Sequence, residues 1–246
     1  MAIAIPVVNA SNTYVDGLEM AWTADETISI AAGRARDSSD VNDIIVTAAL
    51  SVSNIVSGVN GLDTGTVAAS TMYAVYVIGS SLDVVSPAGL LSLASNSEPT
   101  LPFQYDEYRR IGWVLTDGTS DNLLFYQYGS DKTRQYYYDV GISELAAGAS
   151  ATYAAVDLAT SVPPIATNVI MDVAYTPTGA TDVAEFLPFG SSATNGIVRF
   201  GYGVAGAQVG QAVVPCELNS AVPTIQYKVT AGDALTLLTM GYYDYL

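Results

Sequence analysis

Short runs of β-branched and aromatic residues alternate along the chain with clusters of turn-forming residues. A spacing of about eight to twelve residues between turn signals is typical of β-sandwiches and barrels. No segment carries the sustained period of about 3.6 residues that marks an amphipathic helix. The predicted strands are 27–31, 43–52, 71–78, 89–93, 108–116, 123–128, 135–140, 150–156, 168–175, 183–188, 196–202, 208–214, 224–229 and 234–240.

The segment MYAVYVI, residues 72–78, shows the alternation most clearly. Successive side chains of a strand point to opposite faces of the sheet, and here both faces are apolar. We therefore expect a strand that is covered on both sides. The cover is either a second sheet plus a neighbouring subunit, or the interior of one thick domain.

A change in composition near residue 135 predicts two modules, 1–134 and 135–246. The segment YQYGSDKTR just before it holds a local cluster of Lys and Arg, and Gly, Ala, Ser and Thr become more frequent after it. The second module has a size suited to one β-sandwich or jelly roll. The predicted fold class is all-β, with two antiparallel β-sandwich modules of the jelly-roll kind.

Charge is scarce on this chain. Charged residues make up 13% of it, whereas soluble domains typically have roughly 25%. Small polar residues and 17 tyrosines take their place. A surface so poor in charge suits a subunit that is largely covered by copies of itself, so we expect an oligomer.

The formal net charge of −16 and the absence of histidine exclude several function classes. An acidic surface repels phosphate backbones, so nucleic acid is not an expected partner. Without His the chain lacks the usual general base, the usual zinc ligand and the middle member of a Ser-His-Asp triad. Cys216 is the single cysteine, and we expect it to be a small buried apolar residue. No cofactor and no metal site are predicted.

The apolar segments are short. No run approaches the roughly 18 apolar residues of a membrane helix, so membrane insertion is not expected. The start, MAIAIPVVNA, has no Lys or Arg and is interrupted by Pro6 and Asn9, unlike a signal peptide. We expect synthesis in a cytoplasm without export.

The segment GLDTG, residues 61–65, contains the Asp-Thr-Gly motif of aspartic proteases. Such an enzyme needs two carboxylates about 3 Å apart that share one proton. This chain has one copy of the motif, between turn formers and a predicted buried strand. Asp side chains accept hydrogen bonds from the backbone two residues on, and Gly65 tolerates positive φ. We therefore interpret Asp63 as the corner of a turn.

The segment GRARDSSDVND contains Arg34, Arg36 and three aspartates at every third position. The aspartates match a calcium loop only loosely, because an EF-hand needs alternate ligands, a central Gly and a terminal Glu. We expect instead that the two arginines pair with carboxylates and hold a loop at a subunit contact.

A second basic pair, Arg109 and Arg110, precedes Trp113 in YRRIGWVLTDGT. Basic residues beside aromatics can bind anionic sugars or nucleic acid. In so acidic a chain we favour an internal ion pair, with Ile111 or Trp113 packed in the core.

Two tyrosine clusters, QYYYD at 135–139 and GYYDYL at 241–246, provide the main candidate interface residues. Adjacent strand positions point to opposite faces, so some tyrosines of each cluster lie outside any single core. Exposed tyrosine suits either contacts between subunits or binding of an outside ligand such as a sugar. The candidates, together with Arg34 and Arg36, are Tyr136, Tyr137, Tyr138, Tyr242, Tyr243 and Tyr245.

Four motifs occur in one order between about residues 26 and 130. They are a GRARD turn, GLDTG with an aromatic strand, LP followed by RRIG, and a TDG hairpin. This order resembles a module of tail fibres and other virion proteins of tailed bacteriophages. The second half, with AAVDLATSVPP and the closing YKVTAGDALTLLTMGYYD, is more weakly similar to the C-terminal sandwich of such proteins.

The resemblance implies a non-enzymatic, homotrimeric β-structural protein on the exterior of a phage particle, assembled in the host cytoplasm. It also implies that the Asp-Thr-Gly is a scaffold turn. The chain lacks coiled-coil heptads and a glycine-repeat shaft, which favours a short appendage over a long fibre.

Three functions follow as hypotheses. The first is a short tail fibre or adhesin component that contacts other virion proteins and a host surface glycan or protein. The second is a capsid decoration, or cement, protein. The third is a capsule-degrading glycosidase, for which two carboxylates are required. Its candidate acids are Asp106, Glu107, Asp182 and Glu185.

Overall fold

A computed structural model describes residues 14–93, 98–129, 132–192, 197–201 and 206–246. These residues form twenty strands and no helix. The strands are β1 Val15–Gly17, β2 Met20–Ala24, β3 Thr27–Ile30, β4 Gly33–Arg36, β5 Asp43–Val46, β6 Leu50–Ser53, β7 Gly61–Leu62, β8 Met72–Gly79, β9 Ala88–Leu93, β10 Glu107–Leu115, β11 Phe125–Tyr128, β12 Thr133–Gly148, β13 Ala154–Asp157, β14 Asn168–Thr176, β15 Ala184–Pro188, β16 Val198–Phe200, β17 Gln208–Pro215, β18 Glu217–Asn219, β19 Val222–Val229 and β20 Ala234–Tyr245.

The strands before residue 116 form three sheets. Two small antiparallel sheets have the orders β1-β4-β5 and β2-β3-β6, and a four-stranded sheet has the order β10-β8-β9-β7. Within the four-stranded sheet only β7 runs parallel to its neighbour, β9. β10 is therefore an edge strand of that sheet, a position that matters for the groove described below.

Strand β8 is buried along its whole length within a single chain. At the end of β8, Gly79 packs against β5 of a small sheet, because a Cβ built on Gly79 would lie 3.2 Å from Ile44 Cγ1. The neighbouring strand β9 packs against the other small sheet, because a Cβ built on Gly89 would lie 2.2 Å from Val52. The structure therefore favours the second of the two alternatives for 72–78, a central strand inside one domain. No neighbouring subunit is needed to cover it.

The later strands form two five-stranded sheets. One has the order β11-β12-β20-β14-β17, and the other has β13-β19-β15-β16 with β18 paired to β19. All their pairings are antiparallel. Apolar side chains from both sheets join one core cluster with those of the earlier strands. This arrangement is consistent with a β-sandwich, and the all-β prediction is confirmed for the described residues.

Most predicted strands are present, but the segment 43–52 differs. The structure divides it into β5 and β6, which belong to different sheets. The intervening small residues 47–49 let the chain leave one sheet and enter the other. Strands β1, β2, β4, β7 and β18 were not predicted, because they are short and carry little apolar alternation. Residues 196 and 202, the ends of one predicted strand, and the segment MAIAIPVVNA lie outside the described residues.

Buried Arg134 joins the start of β12 to the earlier strands. Its guanidinium donates hydrogen bonds to the carbonyl oxygens of Gly17 at 2.6 Å, Leu18 at 2.8 Å and Ile111 at 3.1 Å. Burial lowers the pKa of Arg134. In addition, β11, which precedes residue 135, pairs with β12, which follows it. The division into modules 1–134 and 135–246 stays a prediction.

The described residues contain no helix long and apolar enough to cross a membrane.

Candidate functional site

The two tyrosine clusters are brought together on adjacent strands. In the pairing of β12 with β20, Tyr136 lies opposite Tyr242 and Gln135 lies opposite Tyr243. Alternation then sorts the side chains between the two faces of the sheet.

Three of the six candidate tyrosines point into the core. Tyr136, Tyr138 and Tyr242 are fully buried, and the rings of Tyr136 and Tyr242 stack with centroids 4.8 Å apart. The Tyr136 hydroxyl accepts a hydrogen bond from Gln127 Nε2 at 2.6 Å, and the Tyr138 hydroxyl donates one to the Ser161 carbonyl oxygen at 2.7 Å. Burial raises the pKa of all three phenols. These side chains are enclosed within the subunit, which corrects the expectation that they contact another subunit or a ligand.

The other three candidate tyrosines point outward. Tyr137 and Tyr243 are half-buried, and Tyr245 is exposed. Strand β11 places two more exposed tyrosines beside them, because Tyr126 pairs with Tyr137 and Tyr128 pairs with Gln135. We call this surface the tyrosine face. It consists of Tyr126, Tyr128, Gln135, Tyr137, Tyr243 and Tyr245.

The tyrosine face continues across the sheet because the residue opposite Tyr137 is a glycine. Tyr137 lies opposite Gly241, and its hydroxyl donates a hydrogen bond to Gln211 Oε1 of β17 at 2.7 Å. Since β20 and β14 lie between β12 and β17, the ring of Tyr137 extends over Gly241 to reach Gln211. Beyond it, Val213 of β17 adds an exposed apolar side chain.

The tyrosine face is concave at one point. A cavity of about 380 Å³ is lined by Tyr128, Gln135 and Tyr137. Phenol rings offer flat apolar surface, while their hydroxyls and the Gln amide offer hydrogen-bonding groups at the edges. This combination can stack against a sugar ring or pack against a protein surface.

Arg34 and Arg36 lie elsewhere, on β4 in the sheet β1-β4-β5. Arg36 Nε lies 3.0 Å from Asp43 Oδ1, and Arg34 Nε lies 3.2 Å from Asp16 Oδ2. Both guanidiniums lie over the ring of Tyr14, at 5.6 Å and 5.7 Å from its centroid. The predicted pairing with carboxylates is confirmed, whereas the predicted subunit contact at this place stays a prediction.

Asp37 organises the loop that follows β4. Its carboxylate accepts hydrogen bonds from the backbone N–H groups of Ser39, Val41 and Asn42, at 2.8 to 3.1 Å, and from the Ser39 hydroxyl. Burial raises the pKa of the Asp37 carboxyl, but these hydrogen bonds together outweigh it, so the pKa is lowered. Both oxygens of the Asp37 carboxylate are therefore engaged by the loop itself.

Asp63 is the corner of a turn, as the sequence predicts. Its Oδ2 accepts hydrogen bonds from the Ser92 hydroxyl at 2.7 Å and from the Thr100 N–H at 3.0 Å. Gly65 has a φ of +74°, the conformation that favours glycine. The carboxylate therefore holds two segments against the end of β9.

Arg109 and Arg110 behave differently from each other. Arg110 Nη1 lies 2.7 Å from Asp244 Oδ2, and its guanidinium lies 4.9 Å from the ring centroid of Trp113. Ile111 and Trp113 are buried. The predicted internal ion pair and core packing are thus confirmed for Arg110. Arg109 makes a looser contact, 4.0 Å from Nη1 to Asp40 Oδ1.

Of the four acids considered for a hydrolase, Asp106, Asp182 and Glu185 are engaged by hydrogen bonds or ion pairs. Asp106 accepts hydrogen bonds from the N–H and hydroxyl of Ser81, and Asp182 accepts one from the Gly179 N–H. Glu185 lies 2.7 Å from Lys228 Nζ and 3.0 Å from Arg199 Nε. Burial raises the pKa of Glu185, but these partners together outweigh it and the pKa is lowered. Buried Glu107 has a raised pKa, because burial and nearby Asp carboxylates disfavour its ionised form.

Cys216 is buried, as expected for a small apolar residue, and burial raises the pKa of its thiol to about 12.

Tyr126 and Tyr128 are the site residues that the sequence analysis missed. The alternation in FYQY, residues 125–128, carried the signal, since Phe125 is buried and Tyr126 and Tyr128 are exposed.

Comparison of the chain with protein-family models, curated protein sequences and solved structures gives no match.

Proposed function

We propose that the chain is a non-enzymatic structural protein of a bacteriophage particle, a short tail-fibre or adhesin component on the particle exterior. It acts by binding, through the tyrosine face, another virion protein or a host surface glycan or protein. The observation that carries the binding role is the tyrosine face itself, five outward tyrosines on one sheet with a concave point lined by Tyr128, Gln135 and Tyr137. The order of the four sequence motifs supports the phage assignment.

Exposed tyrosine is the second support for a binding role. A soluble subunit gains no stability from phenol rings that stay in water, whereas buried at an interface each ring removes a large apolar area from water. Tyrosine also loses little conformational entropy on binding, because its side chain has two rotatable angles. Residues of this kind are enriched at interfaces for these reasons.

We further propose that the sandwich has jelly-roll topology and that the chain assembles as a homotrimer on the particle. Low charge supports assembly, since 13% charged residues leave wide areas of surface without strongly hydrated groups. Assembly takes place in the cytoplasm of the infected cell.

Labelling of intact phage particles with antibody against this chain tests the assignment. We expect label at the tail, at a copy number in the tens or fewer. Label spread over the icosahedral head contradicts the tail assignment, and the absence of the chain from purified particles contradicts the virion assignment altogether.

A capsid decoration protein is the second candidate, and an apolar patch favours it. Two loops next to the four-stranded sheet expose Leu82, Val84 and Phe103, the last with 90% of its surface accessible. The loops are held together by Asp106, which accepts two hydrogen bonds from Ser81, and by the Tyr105 hydroxyl, which donates one to the Ser86 carbonyl oxygen at 2.9 Å. Such a rigid patch suits clamping against a capsid surface. Hundreds of copies per particle identify this function instead.

A further inference from the structure

The edge of β10 borders an open groove of about 420 Å³ that has no part in the tyrosine face. We call it the arginine groove. Its volume lies within the roughly 300–1,000 Å³ that small-ligand sites occupy. The residues that matter for its chemistry are Tyr76, Glu98, Tyr108, Arg109, Trp113 and Ile165.

Arg109 is the unsatisfied group of this groove. Within the described residues, each of the other five arginines contacts an oxygen acceptor at 3.2 Å or less. The guanidinium of Arg109 has only the 4.0 Å contact with Asp40 and makes no hydrogen bond to the described part of the chain. Its side chain is only 15% exposed. A partly buried guanidinium whose nearest carboxylate lies 4.0 Å away favours any ligand that brings a closer acceptor.

Two further polar groups beside Arg109 lack partners. Trp113 is 5% exposed, and its indole N–H has no acceptor in the described residues. The hydroxyl of Tyr76 makes no hydrogen bond to the described chain either. The ring of Tyr76 meets that of Tyr108 edge to face, with centroids 5.8 Å apart, so the aromatic wall is rigid. The groove thus combines the Arg109 guanidinium with aromatic surface.

Arg110 supplies fixed support for this arrangement. Its donors are used in an ion pair with Asp244 at 2.7 Å, and its guanidinium lies 4.9 Å from the ring centroid of Trp113. Arg109 is therefore the arginine of the groove whose N–H groups are available to a ligand. A guanidinium offers parallel N–H groups, and the acceptor that matches them is a planar carboxylate.

We propose that the arginine groove binds a sugar that carries a carboxylate, such as a uronic or sialic acid, with the carboxylate on Arg109. The apolar face of the sugar ring packs against Tyr108 and Ile165, and its hydroxyls hydrogen-bond Tyr76 and Glu98. A sugar fits better than an acidic peptide, because a run of acidic residues would add many negative charges to a chain that already carries −16. The inference holds whether or not the tyrosine face has the role proposed above.

Calorimetric titration of the full chain tests the inference with the methyl glycosides of glucuronic acid, galacturonic acid and N-acetylneuraminic acid. The matched neutral probes are the methyl glycosides of glucose and galactose. We expect at least one acidic sugar to bind, about tenfold or more tighter than its neutral counterpart. Failure of all three acidic sugars to bind overturns the proposal, and so does equal binding of the neutral sugars.

Two variants test whether the ligand binds in the arginine groove. Arg109→Gln should weaken binding of the acidic sugar about tenfold or more. Ile165→Asp changes an exposed wall residue and should also weaken it, because it brings a negative charge to the groove. The control is Arg34→Gln, an exposed arginine outside the groove, which should leave the affinity unchanged.

Circular dichroism shows whether each variant retains the β structure of the parent chain. Unchanged affinity in folded Arg109→Gln or folded Ile165→Asp contradicts binding in this groove. A short poly-glutamate peptide that binds as tightly as the acidic sugar, and competes with it, contradicts the assignment to a sugar. Loss of the tyrosine face by substitution should leave this binding intact, which separates the two proposals.

Discussion

At the scale of single residues, carboxylates in this chain act mainly as internal acceptors that organise loops. Asp37, Asp63 and Asp106 each accept at least two hydrogen bonds from other segments or from their own loop. Ionised carboxylates accept strong hydrogen bonds, which suits them to hold loop segments in place. The Asp-Thr-Gly motif is one instance of this use.

Replacement of Asp37 by Ala should lower the free energy of unfolding by about 1–3 kcal/mol, because three backbone N–H groups lose their acceptor. Urea denaturation at neutral pH measures the effect. The neighbouring variant Ser38→Ala is the control and should change stability little, since Ser38 is exposed and its backbone hydrogen bond to Tyr108 remains. Equal effects in the two variants would contradict the role given to Asp37.

Glu107 provides the opposite case, because burial first, and nearby Asp carboxylates in addition, raise its pKa in the folded state. A raised carboxyl pKa means that the ionised form costs stability above that pKa. The cost disappears as the pH falls below the unfolded value of about 4.3. Glu107→Gln should therefore unfold at a higher temperature than the parent at pH 7.

Thermal unfolding of Glu107→Gln and the parent between pH 4 and pH 8 measures this difference, which should shrink toward the acid end. The exposed Glu26→Gln is the control. A stabilisation that stays constant with pH would show that ionisation of Glu107 is not its cause.

At the scale of elements, the pairing of β12 with β20 places the tyrosines. Alternation sends Tyr136, Tyr138 and Tyr242 into the core and Tyr137, Tyr243 and Tyr245 outward. Gly241 allows the close approach of the two strands, since a Cβ built there would lie 1.9 Å from the Tyr136 carbonyl oxygen. One register shift would exchange the two sets of tyrosines.

Gly241→Ala should destabilise the chain by about 3 kcal/mol or more, because the added methyl group meets backbone that cannot move without breaking the pairing. Chemical denaturation measures the loss. The matched control is Gly118→Ala, where the added Cβ has no atom within 4 Å. Similar stabilities for the two variants would contradict the close approach at Gly241.

The double variant Tyr126→Ser with Tyr128→Ser tests the tyrosine face. Both side chains are exposed on the edge strand β11, so the loss of stability should be about 1 kcal/mol or less. Binding to the partner, measured with labelled protein on host cells and on purified virions that lack the chain, should fall about tenfold or more.

The control for the tyrosine variant is Phe103→Ala, which removes a still more exposed aromatic side chain that is not part of the tyrosine face. Loss of binding in Phe103→Ala, with the tyrosine variant unaffected, would move the contact surface to the apolar loop patch. That result would favour the decoration function.

At the scale of the whole molecule, the structure describes an all-β subunit whose sheets share one apolar core. Charged residues make up 13% of the chain, and most of the basic ones pair with carboxylates of the same chain. The proposed homotrimer therefore rests on contacts between tyrosine, small polar and apolar groups.

Light scattering of the purified chain should give a mass three times 25.7 kDa. Because charge contributes little to the proposed contact, the mass should stay the same when the salt concentration is raised to about 1 M, where charge interactions are screened within about 3 Å. A mass of one subunit contradicts the homotrimer, and dissociation in salt contradicts the chemistry proposed for its interface.

The sequence by itself determined the fold class and most strand positions. Alternation of apolar residues, as in 72–78 and 168–175, follows from the two-residue period of a strand and needs no distant contact. It also determined that Asp63 is a turn residue, since the missing second acid and Gly65 are local features. The sequence did not predict the short strands, because strands of two to five residues carry too little periodicity.

Only the tertiary structure decided which tyrosines face outward, and which arginine has no close acceptor. Both depend on strand register and on contacts between residues far apart in sequence, such as Tyr136 with Tyr242 and Arg110 with Asp244. The sequence pattern shows that successive side chains of a strand point to opposite faces. It does not show which of the two faces the core covers. Packing of one sheet on another makes that choice for β12 and β20, because the core covers the face that carries Tyr136, Tyr138 and Tyr242.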